Sequence, residues 1–381
     1  MRGPYDAIAA VRPLMSRPAS RAETRGAGSP RRAGWSRRAF FALGGALISF
    51  GFTHRVISDR PAPTDRPLLK PPRLKEGDVV GLISPGGAIF RPDRVQPVRE
   101  ALTSLGLQTK LGRHALNRRG YLAGSDADRA ADLNRMFADP QVDAILALRG
   151  GWGCNRILPL LDYESILGHP KILLGFSDVT SLLLALYAQC GLVGFHGPVG
   201  ISSWSDFTVD HVRRVLFEGE AVRMESPRRG SMGMFRPAGS VRTITPGTAQ
   251  GRLVGGNLSV VVSLLGSDYL PNWDGHVLFL EDTEEEPYRI DRMLTQLSLS
   301  GVLSRVAGVI FGQCTRCDAE DPDESLTLEE VLDDHLRPLG VPAWHGAMIG
   351  HIRDKWTLPV GIRAAIDADR GVVTLLEPAV N

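Results

Sequence analysis

A serine and an aspartate stand on a short turn between two apolar runs. The turn GFSD contains Ser177 and Asp178; residues 172–174 before it predict a buried strand, and residues 180–188 after it predict a helix. A serine on such a turn has the geometry of a nucleophile elbow, and the first amides of the helix could hold an oxyanion. The glycine two positions after the serine is missing, so the hydrolase motif is only half matched. Ser177 or Asp178 could instead cap the helix that begins near residue 179.

A serine nucleophile needs a base, usually histidine, and four of the nine histidines are candidates. His351 lies in MIGHIRDKWTLPVG, a glycine-rich loop that could present a reactive imidazole. His345 is close to it in sequence and His196 lies in GFHGPVG; each could be a structural loop histidine. His276 follows a turn, where we expect it to face solvent. The residues alone leave the base undecided.

The base in turn needs a carboxylate to orient it, and the stretch HVLFLEDTEEEP offers candidates. Glu281 ends an apolar strand over residues 277–280, at an edge where loops carry function. Asp282 is its main competitor, and spacing alone does not choose between the two. The acidic run 284–286 is more typical of a solvated loop.

Two glycine-rich turns could bind an anionic group. LRGGWGCNR places Gly150 and Gly151 after a buried strand, where backbone amides could approach such a group, but it is neither a P-loop nor a GxGxxG motif. LVGGNLSVVVSLLG places a glycine pair and Asn257 before an apolar helix. That turn would suit a substrate carboxylate, but close packing between helix and strand explains it equally well.

The elements that must position these groups alternate between strand and helix. The apolar periodicity predicts strands at 78–84, 107–111 and 144–148 and helices at 93–104 and 125–138. This alternation predicts an α/β domain with a mostly parallel sheet. In such sheets, binding and catalytic sites form where loops leave the carboxyl ends of the strands. The turns RGGWG and GFSD are both loops of this kind.

Changes in composition divide the rest of the chain. The region after residue 204 is rich in Pro, Gly and Arg, whereas the last part has short apolar strands and helices near 290–297 and 328–336. This last part predicts a second, smaller α/β domain. The predicted segments are a linker at 54–74, an N-terminal domain with the nucleophile at 75–204, a connector with short irregular elements at 205–250, and a C-terminal domain at 251–381.

Bulk composition excludes some classes of function. The net charge is +2, and much of the basic excess lies before residue 40, so no basic face for nucleic acid is expected. Four cysteines are too few for a disulfide scaffold. The single CxxC, Cys314 and Cys317, indicates a surface thiol pair, or a disulfide if the protein is exported, rather than zinc.

The N-terminus predicts export. SRRAFFALGGALISFGF places Arg37 and Arg38 before an apolar run at 39–52 that is short for a membrane span and suits a signal peptide. We therefore interpret residues 1–53 as a twin-arginine-type signal segment. No A-x-A cleavage site follows, so an uncleaved N-terminal anchor stays an alternative to a free periplasmic protein.

Several separated stretches together resemble the LD-carboxypeptidases, the muramoyltetrapeptide carboxypeptidase family that includes the microcin immunity peptidases. The resemblance runs in order from about residue 74 to residue 380. The stretches are RGGWGCNRILPLLDY, PKILLGFSDVTSLLLAL, FHGP, GRLVGGNLSVVVSLLG followed by LFLEDTEEEPYRIDRMLTQL, and GHIRDKWTLPVG.

The resemblance implies a Ser–Glu–His peptidase. The serine of the family motif G-[YF]-S-D-x-T corresponds to Ser177. The glutamate of its LED strand end corresponds to Glu281 rather than Asp282, and the histidine of its GH…LP-G loop to His351 rather than His345. The resemblance also implies that the active site lies at the interface between an α/β domain that carries the serine and a barrel-like C-terminal domain. Members of the family are usually homodimers.

The resemblance also implies how substrate is held. The backbone amides of Asp178 and Gly151 correspond to the oxyanion donors, and Trp152 stands where the family often has tyrosine, so an aromatic substrate wall is kept. Gly150 and Asn257 are further candidates for substrate contact. No metal or organic cofactor is implied.

The expected reaction is hydrolysis of the bond between an L-centre, diaminopimelate or lysine, and the terminal D-alanine of a murein tetrapeptide. A peptidyl-nucleotide antibiotic or another amide is an alternative substrate for the same triad. A periplasmic binding protein without chemistry is the remaining alternative, but it does not explain why serine, glutamate and histidine all stand at the family's positions. The family's recycling enzymes are cytoplasmic, so predicted export favours a cell-wall substrate.

Overall fold

The computed structural model describes residues 67–226 and 240–381. The predicted signal segment at 1–53, and the predicted linker up to residue 66, lie outside the described residues. From residue 67 the chain lies on the fold: the N–H of Leu69 donates to the carbonyl of Gly191 at 2.8 Å, and that of Arg73 to the carbonyl of Asn381 at 3.0 Å. Over the described ranges, no helix has the length and apolar character needed to cross a bilayer.

The described residues form strands and helices in alternation. The strands are β1 (Val79–Ile83), β2 (Gln108–Leu111), β3 (Ala144–Ala147), β4 (Ile172–Gly175), β5 (Phe195–His196), β6 (Arg223–Glu225), β7 (Arg242–Thr245), β8 (Thr248–Asn257), β9 (Val277–Glu281), β10 (Gly308–Gly312), β11 (Ala343–Ala347), β12 (Leu358–Pro359), β13 (Arg363–Asp367) and β14 (Val372–Leu375). The helices are α1 (Val95–Ser104), α2 (Asp126–Ala138), α3 (Tyr163–Gly168), α4 (Thr180–Cys190), α5 (Asp206–Val212), α6 (Leu258–Ser263), α7 (Pro287–Leu299) and α8 (Leu328–Leu336).

The first sheet has the strand order β12-β5-β4-β3-β1-β2. Strands β1 to β5 pair in parallel, and only β12 pairs antiparallel, with β5. The predicted α/β class with a mostly parallel sheet is therefore confirmed. Because β3 and β4 are neighbours, the two turns that follow them emerge side by side at the carboxyl edge of the sheet.

The second sheet has the order β6-β14-β13-β8-β9-β10-β11-β7. The last strand in this order, β7, is joined to the start of β8 by a two-residue turn. The hydroxyl of Thr243 in β7 also donates to the carbonyl of Ala368, directly after β13, at 2.9 Å. These contacts curl the sheet back on itself and give it the predicted barrel-like character. Strands β6 and β7 lie in the region predicted as an irregular connector. As short edge strands, they carry little apolar periodicity.

Local sequence explains the elements that carry the site. Helix α2 begins after Ser125, whose hydroxyl accepts the N–H of Asp128 at 3.1 Å, a serine N-cap. Helix α4 is apolar on nearly every side, and it is buried because it packs against β5 and α3 and also against β8 and α6. The helix that follows Ser177 therefore joins the two sheets, and one hydrophobic cluster runs through both.

Candidate active site

Ser177 lies on a strained turn between β4 and α4. Its φ is +62°, a left-handed conformation that serine rarely adopts, and a 3-10 turn at Ser177–Val179 leads into the helix. Such strain is typical of functional positions and fits the nucleophile-elbow geometry. Neither Ser177 nor Asp178 caps α4 through its side chain, so the capping interpretation is wrong.

Ser177, His351 and Glu281 form one hydrogen-bonded row. The hydroxyl of Ser177 donates to Nε2 of His351 at 3.2 Å, and Nδ1–H of His351 donates to Oε2 of Glu281 at 2.8 Å. The three residues come from the turn after β4, the loop after β11 and the end of β9. The row has the connectivity of a nucleophile, a base and an orienting carboxylate.

Glu281 is ionised although it is completely buried. Burial by itself raises the pKa of a carboxyl group, but His196 and His351 stabilise the anion and bring the pKa of Glu281 down to about 2. A glycine is required beside it: Gly350 has φ +93°, and a Cβ there would lie 2.2 Å from Oε2 of Glu281. The site thus places a fixed negative charge behind the imidazole.

Asp282, the competing carboxylate, points away from this row. Its oxygens accept from Nδ2 of Asn257 at 3.1 Å, from N–H of Ser259 at 2.9 Å and from N–H of Thr283 at 2.9 Å. Burial, together with the charge of Glu281, raises the pKa of Asp282 to about 6. Asp282 holds the turn between β8 and α6 and does not orient a histidine.

The other histidines do not reach Ser177. His345 packs edge-on against Phe311, and burial lowers the pKa of His345 to about 4. His276 was expected to face solvent, but it is half-buried; its Nε2 accepts from the hydroxyl of Tyr187 at 3.3 Å, because the turn packs onto α4.

His196 is closer to the site than the sequence indicated. It is buried, and its Nε2 lies 3.8 Å from Oε1 of Glu281, on the side of the carboxylate away from His351. Glu281 is therefore flanked by two imidazoles. The signal that could have found this is the position of His196 at the carboxyl end of β5, next to β4 in the sheet.

The glycine turn after β3 lies directly against Ser177. A Cβ on Gly150 would sit 2.9 Å from Cβ of Ser177 and 3.1 Å from the amide nitrogen of Asp178. Within the described residues, the N–H of Gly151 makes no hydrogen bond. The carboxylate of Asp178 accepts the N–H of Cys154 at 2.9 Å, which fastens the turn to the serine loop. This places both expected oxyanion donors on turns that border Ser177.

The glycine pair before Asn257 serves close packing. Gly256 has φ +142°, and a Cβ there would lie 2.4 Å from Oγ1 of Thr180 at the start of α4. The N–H of Asn257 donates to the same Oγ1 at 3.0 Å, and its side-chain oxygen accepts from the N–H of Val260 as the N-cap of α6. The backbone amide is therefore occupied by the protein, although Asn257 still lines a cavity beside Ser177.

Two cavities meet at Ser177 and His351. The basic cavity, of about 480 Å³, is defined by the cationic residues in its lining: Arg149, Arg316, Arg353 and Lys355. The acidic cavity, of about 340 Å³, is defined by its acidic lining residues, Asp282 and Glu285, and also contacts Trp152. Ser177 thus lies between two cavities whose linings differ in the sign of their charged residues.

A disulfide supports the loop that carries His351. Cys314 and Cys317 are joined, and between them the hydroxyl of Thr315 donates to the backbone carbonyl of His351 at 3.0 Å. The carbonyl of Thr315 in turn accepts from the hydroxyl of Thr283 at 3.0 Å. The bridged turn therefore fixes the backbone position of His351.

Two models of known domains match the chain in sequence order. The model of the LD-carboxypeptidase N-terminal domain matches residues 80–197, and that of the LD-carboxypeptidase C-terminal domain matches residues 250–366. The chain belongs to the LD-carboxypeptidase family. The matched ranges contain all three residues of the hydrogen-bonded row.

Similar proteins agree with this membership. The chain is 39% identical over 303 residues to a probable murein peptide carboxypeptidase of Bacillus subtilis, which covers 78% of this chain and 91% of the relative. It is 31% identical to a murein tetrapeptide carboxypeptidase of Pseudomonas aeruginosa, over 76% of this chain and 94% of the relative. Among solved structures, it matches MccF in complex with glutamyl sulfamoyl guanosine with a TM-score of 0.74 and 26% identity, over 82% of this chain and 100% of that one.

Proposed function

We propose that this member of the family is a serine carboxypeptidase that releases the terminal D-alanine of murein tetrapeptides by cleaving its bond to an L-centre. The observation that carries the proposal is the Ser177–His351–Glu281 row at the meeting point of two cavities. The names of the relatives from Bacillus and Pseudomonas support murein peptides as the substrate class.

In the proposed reaction, His351 Nε2 takes the proton of Ser177 as Oγ attacks the scissile carbonyl carbon. The ionised Glu281 stabilises the imidazolium that forms and keeps the Nδ1 proton in place. His351 then gives the proton to the leaving nitrogen, and D-alanine departs from an acyl-enzyme on Ser177. A water molecule, deprotonated by His351, hydrolyses the acyl-enzyme and restores the serine.

The oxyanion of each tetrahedral intermediate would lie between the amides of Asp178 and Gly151. Donors placed before reaction are worth about 3 kcal/mol each in related chemistry. The short approach of Gly150 to Ser177 and Asp178 brings these two turns together. Trp152, at the rim of the acidic cavity, would form a wall for the acyl part of the substrate.

The likeness to the MccF complex favours a second candidate substrate, an aminoacyl sulfamoyl nucleoside or a related amide. Both candidates would use the same triad. We also propose that the protein is exported through the twin-arginine-type segment at residues 1–53. We further propose that it acts on cell-wall peptides and assembles as a homodimer.

A parallel assay distinguishes these substrates. Wild-type protein is incubated with a muramoyl tetrapeptide ending in D-alanine and, separately, with a glutamyl sulfamoyl nucleoside, and products are identified by mass spectrometry. We expect loss of one D-alanine at a kcat/KM at least tenfold above that for the nucleoside. Cleavage of the nucleoside with an intact tetrapeptide would reject the murein assignment.

A further inference from the structure

Lys355 is a buried cation next to the nucleophile that the triad does not use. It is 4% exposed and lines the basic cavity together with Ser177 and His351. Its Nζ lies 4.8 Å from the centre of the Phe176 ring, and the His351 ring centre lies 4.8 Å from the same ring. Lys355 and the base therefore pack on one aromatic side chain, directly beside the serine loop.

The other cations of the basic cavity already have partners. Arg316 pairs with Glu284, and Nη1 of Arg149 donates to the carbonyl of Ala88 at 3.0 Å. Nε of Arg353 lies 4.0 Å from Oδ1 of Asp354, and the Arg353 side chain is 80% exposed.

Lys355 differs from all three. In the part of the chain that the structure describes, Nζ of Lys355 has no hydrogen-bond acceptor and no ion-pair partner within 4.0 Å. A buried ammonium without an anion is unfavourable, so a group that faces an open cavity in this state is suited to an anionic ligand.

We propose that the ammonium of Lys355 binds the free α-carboxylate of the substrate's C-terminal residue. This inference rests on the proposed carboxypeptidase function and adds the group that would restrict cleavage to the last residue of a peptide. The carboxylate of that residue follows the scissile carbonyl by one residue, a span of about 3.8 Å between α-carbons. Lys355 and His351 pack on the same Phe176 ring, so the separation between the two side chains is on the scale of that distance.

The charges around Lys355 agree with this assignment. Burial lowers the pKa of Lys355 to about 8, and the negative charges of Glu281 and Asp354 oppose that shift. The side chain therefore still carries its proton at neutral pH. Glu281 already faces the imidazoles of His351 and His196, so it is not an ion-pair partner of Lys355, and Lys355 can accept a second carboxylate.

The test measures binding without turnover. In a Ser177→Ala background, calorimetry compares a tetrapeptide ending in free D-alanine with the same peptide ending in D-alanine amide. We expect the acid to bind about 100-fold more tightly, and Lys355→Met to remove most of that difference. Arg353→Met removes an exposed positive charge from the same cavity and should leave the preference unchanged.

Other outcomes have distinct meanings. Equal binding of acid and amide, or an undiminished preference in Lys355→Met, would overturn the proposal. Lys355→Gln serves as a second neutral variant if the methionine variant does not fold, and Lys355→Arg should retain the preference. A carboxylate preference that depends on Lys355, in a wild-type enzyme that releases no D-alanine, would reject the proposed reaction but keep this binding site.

Discussion

At the residue scale, the site is organised around a buried negative charge. Glu281 has no contact with solvent, yet its pKa lies near 2 because two imidazoles border its oxygens. Without such partners, a buried carboxylate would take up a proton. Its ionisation is therefore a property of the assembled site, and it gives His351 a defined tautomer with Nε2 free to accept from Ser177.

Glu281→Gln should abolish most activity while keeping the shape of the site. A glutamine amide can donate to Nδ1 of His351, which would place the ring proton on Nε2, where it cannot accept from Ser177. The corresponding change in serine proteases lowers kcat about 10,000-fold, and we expect a loss of that order here. The measurement is kcat for D-alanine release. Glu286→Gln, at the N-terminus of α7, is the matched control and should retain wild-type rates; an active Glu281→Gln enzyme would contradict the assigned role.

At the element scale, the proposed chemistry depends on how closely two turns approach each other. The turns after β3 and β4 touch because those strands are neighbours, and glycine at position 150 lets the backbone pass beside Ser177. Strands β3 and β4 and helix α4 could be predicted, because each is a continuous apolar run bounded by turn residues. Strands β5 and β12, of two residues each, could not, because they are too short to show any period.

Gly150→Ala should impair catalysis more than folding. The added methyl would meet Cβ of Ser177 at 2.9 Å and the amide of Asp178 at 3.1 Å, so the proposed oxyanion donors must move. Displacements of this kind lower rates about 100-fold. Steady-state kinetics and thermal unfolding are measured together. Gly168→Ala, whose new Cβ meets no atom within 4 Å, should change neither; equal kinetics for the two variants would contradict the proposed donor geometry.

At the scale of the whole molecule, the site needs contacts between distant parts of the sequence. The resemblance to the family's motifs assigned roles to Ser177, Glu281 and His351, which the fold brings within hydrogen-bond distance of one another. The residues alone left Asp282 and three other histidines open. His196 and Lys355 were not assigned a role because their importance comes from neighbours in space: Glu281 for one, Phe176 for the other. Burial, which sets both roles, is a property of the packed fold.

The two sheets are also one folding unit around the site. Strand β12 comes from the C-terminal part of the sequence but completes the first sheet, and α4, which follows Ser177, packs against β8 of the second sheet. The serine and its two partners are therefore held by a core that runs through both sheets. This continuity explains how three residues from separate elements can reach hydrogen-bond distance.

The most direct measurement is product analysis of wild-type protein and Ser177→Ala on a muramoyl tetrapeptide ending in D-alanine. The account predicts that the wild type releases a single D-alanine and that Ser177→Ala loses activity by several orders of magnitude. Ser203→Ala, a serine in the lining of the same basic cavity, should remain active. Release of D-alanine by folded Ser177→Ala at the wild-type rate would contradict the central claim that Ser177 is the nucleophile.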